Sequence, residues 1–181
     1  MNMSTQNTSF DSERSTIDES DFDLSPTTCP EYKYLPSAMA TVLQKVIALS
    51  THSQPNKKSH FTACLPPSIS LTDYLERILY YAHTEPSTLI TSLIYIDRLC
   101  SIGKITLTEF NVHRVLFTSV FLAIKYNEDE KYKIEYYAQI GGMSVKELLG
   151  LEGEFVSRVE FNFYINEEEY KKYSDYIKTI I

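Results

Sequence analysis

Beyond residue 38, apolar residues return every three or four positions, the period of a helix and not the alternation of a strand. Met39, Val42, Leu43, Val46, Ile47 and Leu49 predict a first helix over about 38–50, with Ser37 placed to cap it. A polar stretch follows, and then Leu65-Pro66-Pro67-Ser68, which disfavours helix. Ser70 with Asp73 forms a capping-box variant that opens a second helix to about His83, apolar at Leu71, Tyr74, Leu75, Ile78 and Leu79. Pro86 suits the first turn of a third helix, which ends near Ser101 with Gly103 beyond it as a C′ residue. The stretch from about Thr108 to Tyr126 is apolar nearly all round, so this helix is expected to be central and buried on most sides. A short helix over Glu135–Ile140 stops at Gly141-Gly142. Ser144 and Glu147 make a capping box for a helix to about Phe161, with Leu148, Leu151, Phe155 and Val159 as its stripe. Asn166 caps a polar last helix that begins with Glu167, Glu168 and Glu169, as the helix dipole favours.

The chain therefore reads as all-α. Its parts are an acidic tail over 1–30, an N-terminal helix and loop over 31–60, a compact helical run over 61–165 and a C-terminal helix over 166–181. Few glycines and few turn dipeptides argue against a sandwich or barrel.

Charge narrows the class of partner. The net charge of −7 weighs against nucleic acid, which needs a basic patch. The tail holds six acids and one arginine, and so carries −5 of that total. Rich in Ser and Thr with few large apolar residues, it is expected to be disordered. Within it Ser25-Pro26 is a candidate proline-directed phosphorylation site, against the plainer reading of a loop dipeptide. Cys29, Cys64 and Cys100 have no zinc spacing and read as free thiols, which places the chain inside the cell, in nucleus or cytoplasm. The first residues have no signal-peptide pattern, and no apolar run is long enough for a membrane span. No cofactor or metal is expected, because the four histidines lie on different segments and no nucleotide or hydrolase fingerprint is present.

Some charges fall on apolar stripes. Asp97 lies on the face of Leu93 and Ile94, where it either meets a partner or sits at the stripe's edge in water. Arg77 on the preceding helix is the best candidate for that partner, in a structural ion pair. Lys125 ends the most apolar helix, where a cation complements the helix dipole. Glu152 sits four after Leu148 and three before Phe155, so it pairs with a neighbouring helix or meets a partner from outside the domain.

Five stretches in order, 66–78, 93–99, 111–130, 136–144 and 151–163, resemble the cyclin box, and within the cyclins the P-type (P/U) branch. The resemblance runs from about Phe61 to Ile165 and implies five helices around a central third, with flanking helices outside the box. It implies a regulatory subunit without catalysis of its own, whose partner is a cyclin-dependent kinase in a 1:1 complex. It also implies that Lys125 and Glu152 grip the kinase's C-helix, that Tyr126, Val156 and Phe161 add apolar contact, and that Arg77 pairs with Asp97. The branch serves phosphate sensing, polarity and cell division. Only about 18 residues follow Phe163, room for one helix and not for a second box. The substrate-docking motif of cell-cycle cyclins is missing from Glu76–Tyr80. The rival reading is a cyclin-fold interaction module that binds partners without activating a kinase.

Overall fold

The computed structural model describes residues 33–50, 59–129 and 132–181. The acidic tail, Ser25 and Cys29 lie outside the described residues. Among the described residues seven helices follow in order: α1 Leu35–Leu49, α2 Leu71–Ala82, α3 Pro86–Ser101, α4 Val112–Asn127, α5 Ile134–Gly141, α6 Val145–Arg158 and α7 Glu167–Lys178.

The local signals act largely as read. Ser70 Oγ accepts the Asp73 N–H at the start of α2. Ser144 and Glu147 close a full capping box on α6, and Asn166 accepts the Glu169 N–H on α7. Three boundaries differ. Helix α1 begins earlier, at Leu35, because Pro36 suits its first turn, and Ser37 donates to the Tyr34 carbonyl instead of capping. Helix α4 begins later, at Val112. The Asn111 amide holds 106–111 as a turn by accepting the Thr108 N–H at 2.8 Å and donating to the Thr106 carbonyl at 2.9 Å. Helix α6 stops at Arg158, because Glu160 and Phe161 both adopt left-handed backbone, at φ 54° and 59°.

Helix α4 is the axis. Every residue from Val115 to Ile124 is buried, and α3, α6, α5 and α2 pack around it. The small residues in that run keep their polar atoms satisfied within the helix, since Thr118 and Ser119 donate to the carbonyls of Arg114 and Leu116. Helices α1 and α7 lie outside, α1 against α2 and α7, and α7 also against α3. Gly141 marks the tightest approach: a Cβ there would come within 2.6 Å of the Phe117 ring, so α5 reaches α4 only because that position is bare.

The expected Arg77–Asp97 pair does not form. Helix α2 packs on α5, so Arg77 reaches the last turn of α5 and donates to the carbonyls of Ile140 at 3.0 Å and Gln139 at 3.1 Å. Tyr74 adds a bond to the Gly141 carbonyl at 3.0 Å, so α2 satisfies three successive C-terminal carbonyls of α5. Asp97 faces α7 instead and accepts the Tyr173 hydroxyl at 2.9 Å. That hydroxyl is held neutral, its pKa pushed well up by burial and by the Asp97 charge.

Candidate functional site

Lys125 occupies the last turn of α4 and Glu152 the middle of α6, and packing of these two helices brings the side chains together as an ion pair. The pair is not sealed. The lysine side chain is 46% exposed and the glutamate 16%. The lysine ammonium also lies 5.3 Å from the centre of the buried Phe121 ring, a cation–π contact that holds it at the rim of the core.

Helix α6 has two faces. Leu148, Leu151 and Phe155 point inward and are fully buried. Leu149, Glu152 and Val156 recur at helical spacing on the other side, with Leu149 exposed and Val156 half-buried. The chain then turns. The Phe161 N–H donates to the Val156 carbonyl at 3.1 Å, and the left-handed backbone leaves the Phe161 ring 76% exposed. A non-glycine residue in that conformation is strained by about 1 kcal/mol or more, and here the strain accompanies an aromatic ring in water. Tyr126 beside Lys125 and Tyr164 beyond the turn are exposed aromatics as well.

Beneath the surface the turn is pinned. Arg98 on α3, 8% exposed, donates to the carbonyls of Asn162 and Tyr164, both at 2.8 Å, and pairs with Glu169 at 2.7 Å. Buried Tyr95, its hydroxyl pKa raised by burial, donates to the Phe163 carbonyl at 3.1 Å. Three successive backbone carbonyls between Phe161 and Ile165 are therefore fixed from within.

The five residues expected to form a binding surface are Lys125, Tyr126, Glu152, Val156 and Phe161. They come from the end of α4, the outer face of α6 and the turn after it. Arg77 and Asp97 belong to separate structural contacts. Sequence reasoning missed Leu149, Tyr164 and Arg98. Arg98 was findable, since it lies four after Ile94 and three after Tyr95, the same arithmetic that marked Asp97. Leu149 was visible as the one leucine off the inner stripe. Nothing in the sequence announces the left-handed turn, which holds neither Gly nor Asn at 160 and 161.

Chemically the arrangement offers an ion pair open to solvent beside exposed apolar side chains. Among the described residues no group of three or more His, Cys, Asp or Glu is placed to hold a metal, and no helix is long and apolar enough to cross a membrane. His113 is half-buried at the edge of the core. It donates from Nε2 to the Ile69 carbonyl at 2.9 Å, and its ring meets Tyr74 at a tilt, with ring centres 5.2 Å apart.

Comparison with known proteins agrees with this architecture. The family model described as Cyclin matches residues 4–163. Cyclin-U4-3 of Arabidopsis thaliana is 36% identical over 144 residues, 78% of this chain and 66% of that protein. Cyclin-U2-1 of the same plant is 38% identical over 110 residues, covering 59% of this chain and 49% of its own. Cyclin-P4-1 of Oryza sativa subsp. japonica is 36% identical over 116 residues, covering 64% and 55%. The matched stretch thus spans about half to two thirds of these relatives' length.

Proposed function

The chain belongs to the cyclin family, in its P/U branch, and from that we propose that it is the regulatory subunit of a cyclin-dependent kinase, which it binds 1:1 and activates. It supplies binding energy and no chemistry. The Lys125–Glu152 pair open to solvent, with exposed Tyr126, Leu149 and Phe161 on the elements that carry it and the turn beyond, carries this reading. Kinase activity requires an internal Lys–Glu pair that forms only when the C-helix is correctly placed. A surface that binds the active arrangement more tightly shifts the population toward it. Lys125 and Glu152 offer a donor and an acceptor for polar groups of that helix, while Tyr126, Val156 and Phe161, with Leu149, cover its apolar side.

In the free chain the two charges satisfy each other, so docking exchanges partners instead of rescuing two lone charges. That closed pair is also what favours the second reading, a cyclin-fold module that binds without activating. A double charge swap, Lys125→Glu with Glu152→Lys, tests the first. It rebuilds the internal pair and keeps the fold, but reverses what the partner meets. The expected result is unchanged helicity with loss of kinase binding and activation; full activation by the double swap overturns this site. Binding without stimulation by the wild type would establish the second reading.

A further inference from the structure

We propose that the cleft between the start of α3, the end of α4 and the start of α7 is a socket for a tyrosine side chain of the partner that docks on Lys125 and Glu152. The cleft holds about 300 Å3, above the ~150 Å3 that admits a benzene ring. Ser87, Thr91 and Tyr95 recur every four residues along α3 and make one wall. Thr91 carries the inference. The residue is 5% exposed, yet its hydroxyl bonds to no described residue. Thr118 donates to the Arg114 carbonyl at 2.7 Å and Thr41 to the Ser37 carbonyl at 2.8 Å, each within its own helix. Thr88, three residues before Thr91, donates to the Glu128 carboxylate at 2.7 Å. Thr91 makes neither kind of bond, so its hydroxyl is left to the cleft that the residue lines. A polar group withdrawn from bulk water without a partner destabilises the free fold, and a ligand that supplies the missing bond recovers that loss.

The surroundings select the chemistry of that ligand. Besides Thr91 the cleft is lined by the rings of Tyr95, Tyr126 and Tyr170 and by Ile165, surfaces that take a flat apolar body. The Tyr95 hydroxyl already donates to the Phe163 carbonyl, which leaves the Thr91 hydroxyl to receive a polar tip. Asn127, Asn166 and Glu167 are exposed and form a polar rim. A tyrosine side chain has that shape, a flat ring that ends in one group able to donate and accept. Phenylalanine would leave Thr91 unpaired, and an aliphatic amide would forgo the ring contacts. Tyr126 joins the socket to the docking surface. It follows Lys125 in the chain and is 57% exposed, so one partner can meet both. The identity of the partner rests on the reading given above, and the socket itself does not.

The test titrates the 15N-labelled full chain with p-cresol, the tyrosine side chain alone, and with toluene, which lacks the hydroxyl. p-Cresol is expected to shift the amides of Thr91, Tyr126 and Tyr170 saturably, with a dissociation constant on the order of 1 mM. Toluene should bind about fivefold more weakly, and Thr91→Val, which keeps the shape and removes the hydroxyl, should abolish that preference. The same variant should weaken kinase binding about fivefold with Tm unchanged or raised, since the hydroxyl holds nothing in the free chain. No saturable shift at these amides, or equal binding of p-cresol and toluene, overturns the socket. Kinase binding that Thr91→Val leaves intact overturns the assignment of the ring to the kinase. The double charge swap at Lys125 and Glu152 probes its own reading separately, because it should abolish kinase binding and leave the p-cresol titration unchanged.

Discussion

Two cation–carboxylate pairs hang on the same core and solve opposite problems. Arg98–Glu169 is sunk between α3 and the 162–169 segment, with the guanidinium also spent on two backbone carbonyls. Lys125–Glu152 sits at the surface, where the ammonium meets the Glu152 carboxylate and the face of the Phe121 ring. A planar fork with five donors suits the first, since each donor fixes a different acceptor. A compact ammonium on a flexible stem suits the second, since it can change partner with little reorganisation. One pair holds the turn from within, and the other, in the proposed role, is the one a partner uses. The experiments that follow try to break that division.

The largest effect belongs to the sunken pair. Arg98→Met keeps the apolar stem but strands the carbonyls of Asn162 and Tyr164 and leaves Glu169 unpaired. Glu169 is 32% exposed, so water offsets part of the cost, and a loss of about 2–3 kcal/mol is expected in urea unfolding. Lys125→Met leaves Glu152, 16% exposed, without its cation and should lose about 1–2 kcal/mol of stability, less than the sunken pair. Its effect is expected in kinase affinity, a drop of roughly 100-fold, about 2.7 kcal/mol, measured by titration calorimetry. Equal stability losses from the two variants would erase the distinction drawn between them.

The same contrast marks how far the sequence could be read. Rules confined to one helix were legible, and the caps at Ser70, Ser144 and Asn166 work because donor and acceptor lie three residues apart. Lys125 and Glu152 were legible as misplaced charges on apolar helices, though from spacing alone the partner could have been a neighbouring helix or a foreign one. Arg77 and Asp97 show the limit. Periodicity put each on the right face of its helix, but a face does not say which helix covers it. Arg77 met the end of α5 and Asp97 met α7, partners 62 to 76 residues away in sequence. The left-handed turn at Glu160 and Phe161 was hidden for another reason. The turn closes on a local bond from the Phe161 N–H to the Val156 carbonyl, and tertiary bonds from Arg98 and Tyr95 then fix the chain beyond it.

A smaller effect separates scaffold from surface by pH. Burial lowers the His113 pKa, the bond to Ile69 working the other way. Nδ1 is buried with no partner, so protonation there adds a proton with nothing to receive it. The unfolded chain takes up that proton as pH falls below about 6.5 while the folded chain resists it. Stability from this source is complete above that pH and is lost progressively as pH falls toward the folded value. His113→Gln should flatten the decline between pH 7 and 5.5, a window above the range where Glu147 and Glu154, whose pKa values lie below 4.5, add their own. The five surface residues include no histidine, so kinase affinity should change less than stability over this window.

The smallest expected change in stability is the most informative about function. Phe161 holds left-handed backbone with its ring in water, so it incurs strain while burying little. Asparagine tolerates that backbone better than any β-branched or aromatic residue and does not add the extra unfolded-state freedom of glycine. Phe161→Asn should therefore raise stability by a few tenths of a kcal/mol, read as a small upward shift in Tm. If the ring is there for a partner, the same substitution should weaken kinase binding by about tenfold, as loss of one well-placed aromatic does. A residue kept for the fold cannot do both. A destabilised variant with unaltered binding would return Phe161 to the scaffold and leave the Lys125–Glu152 surface without its aromatic arm.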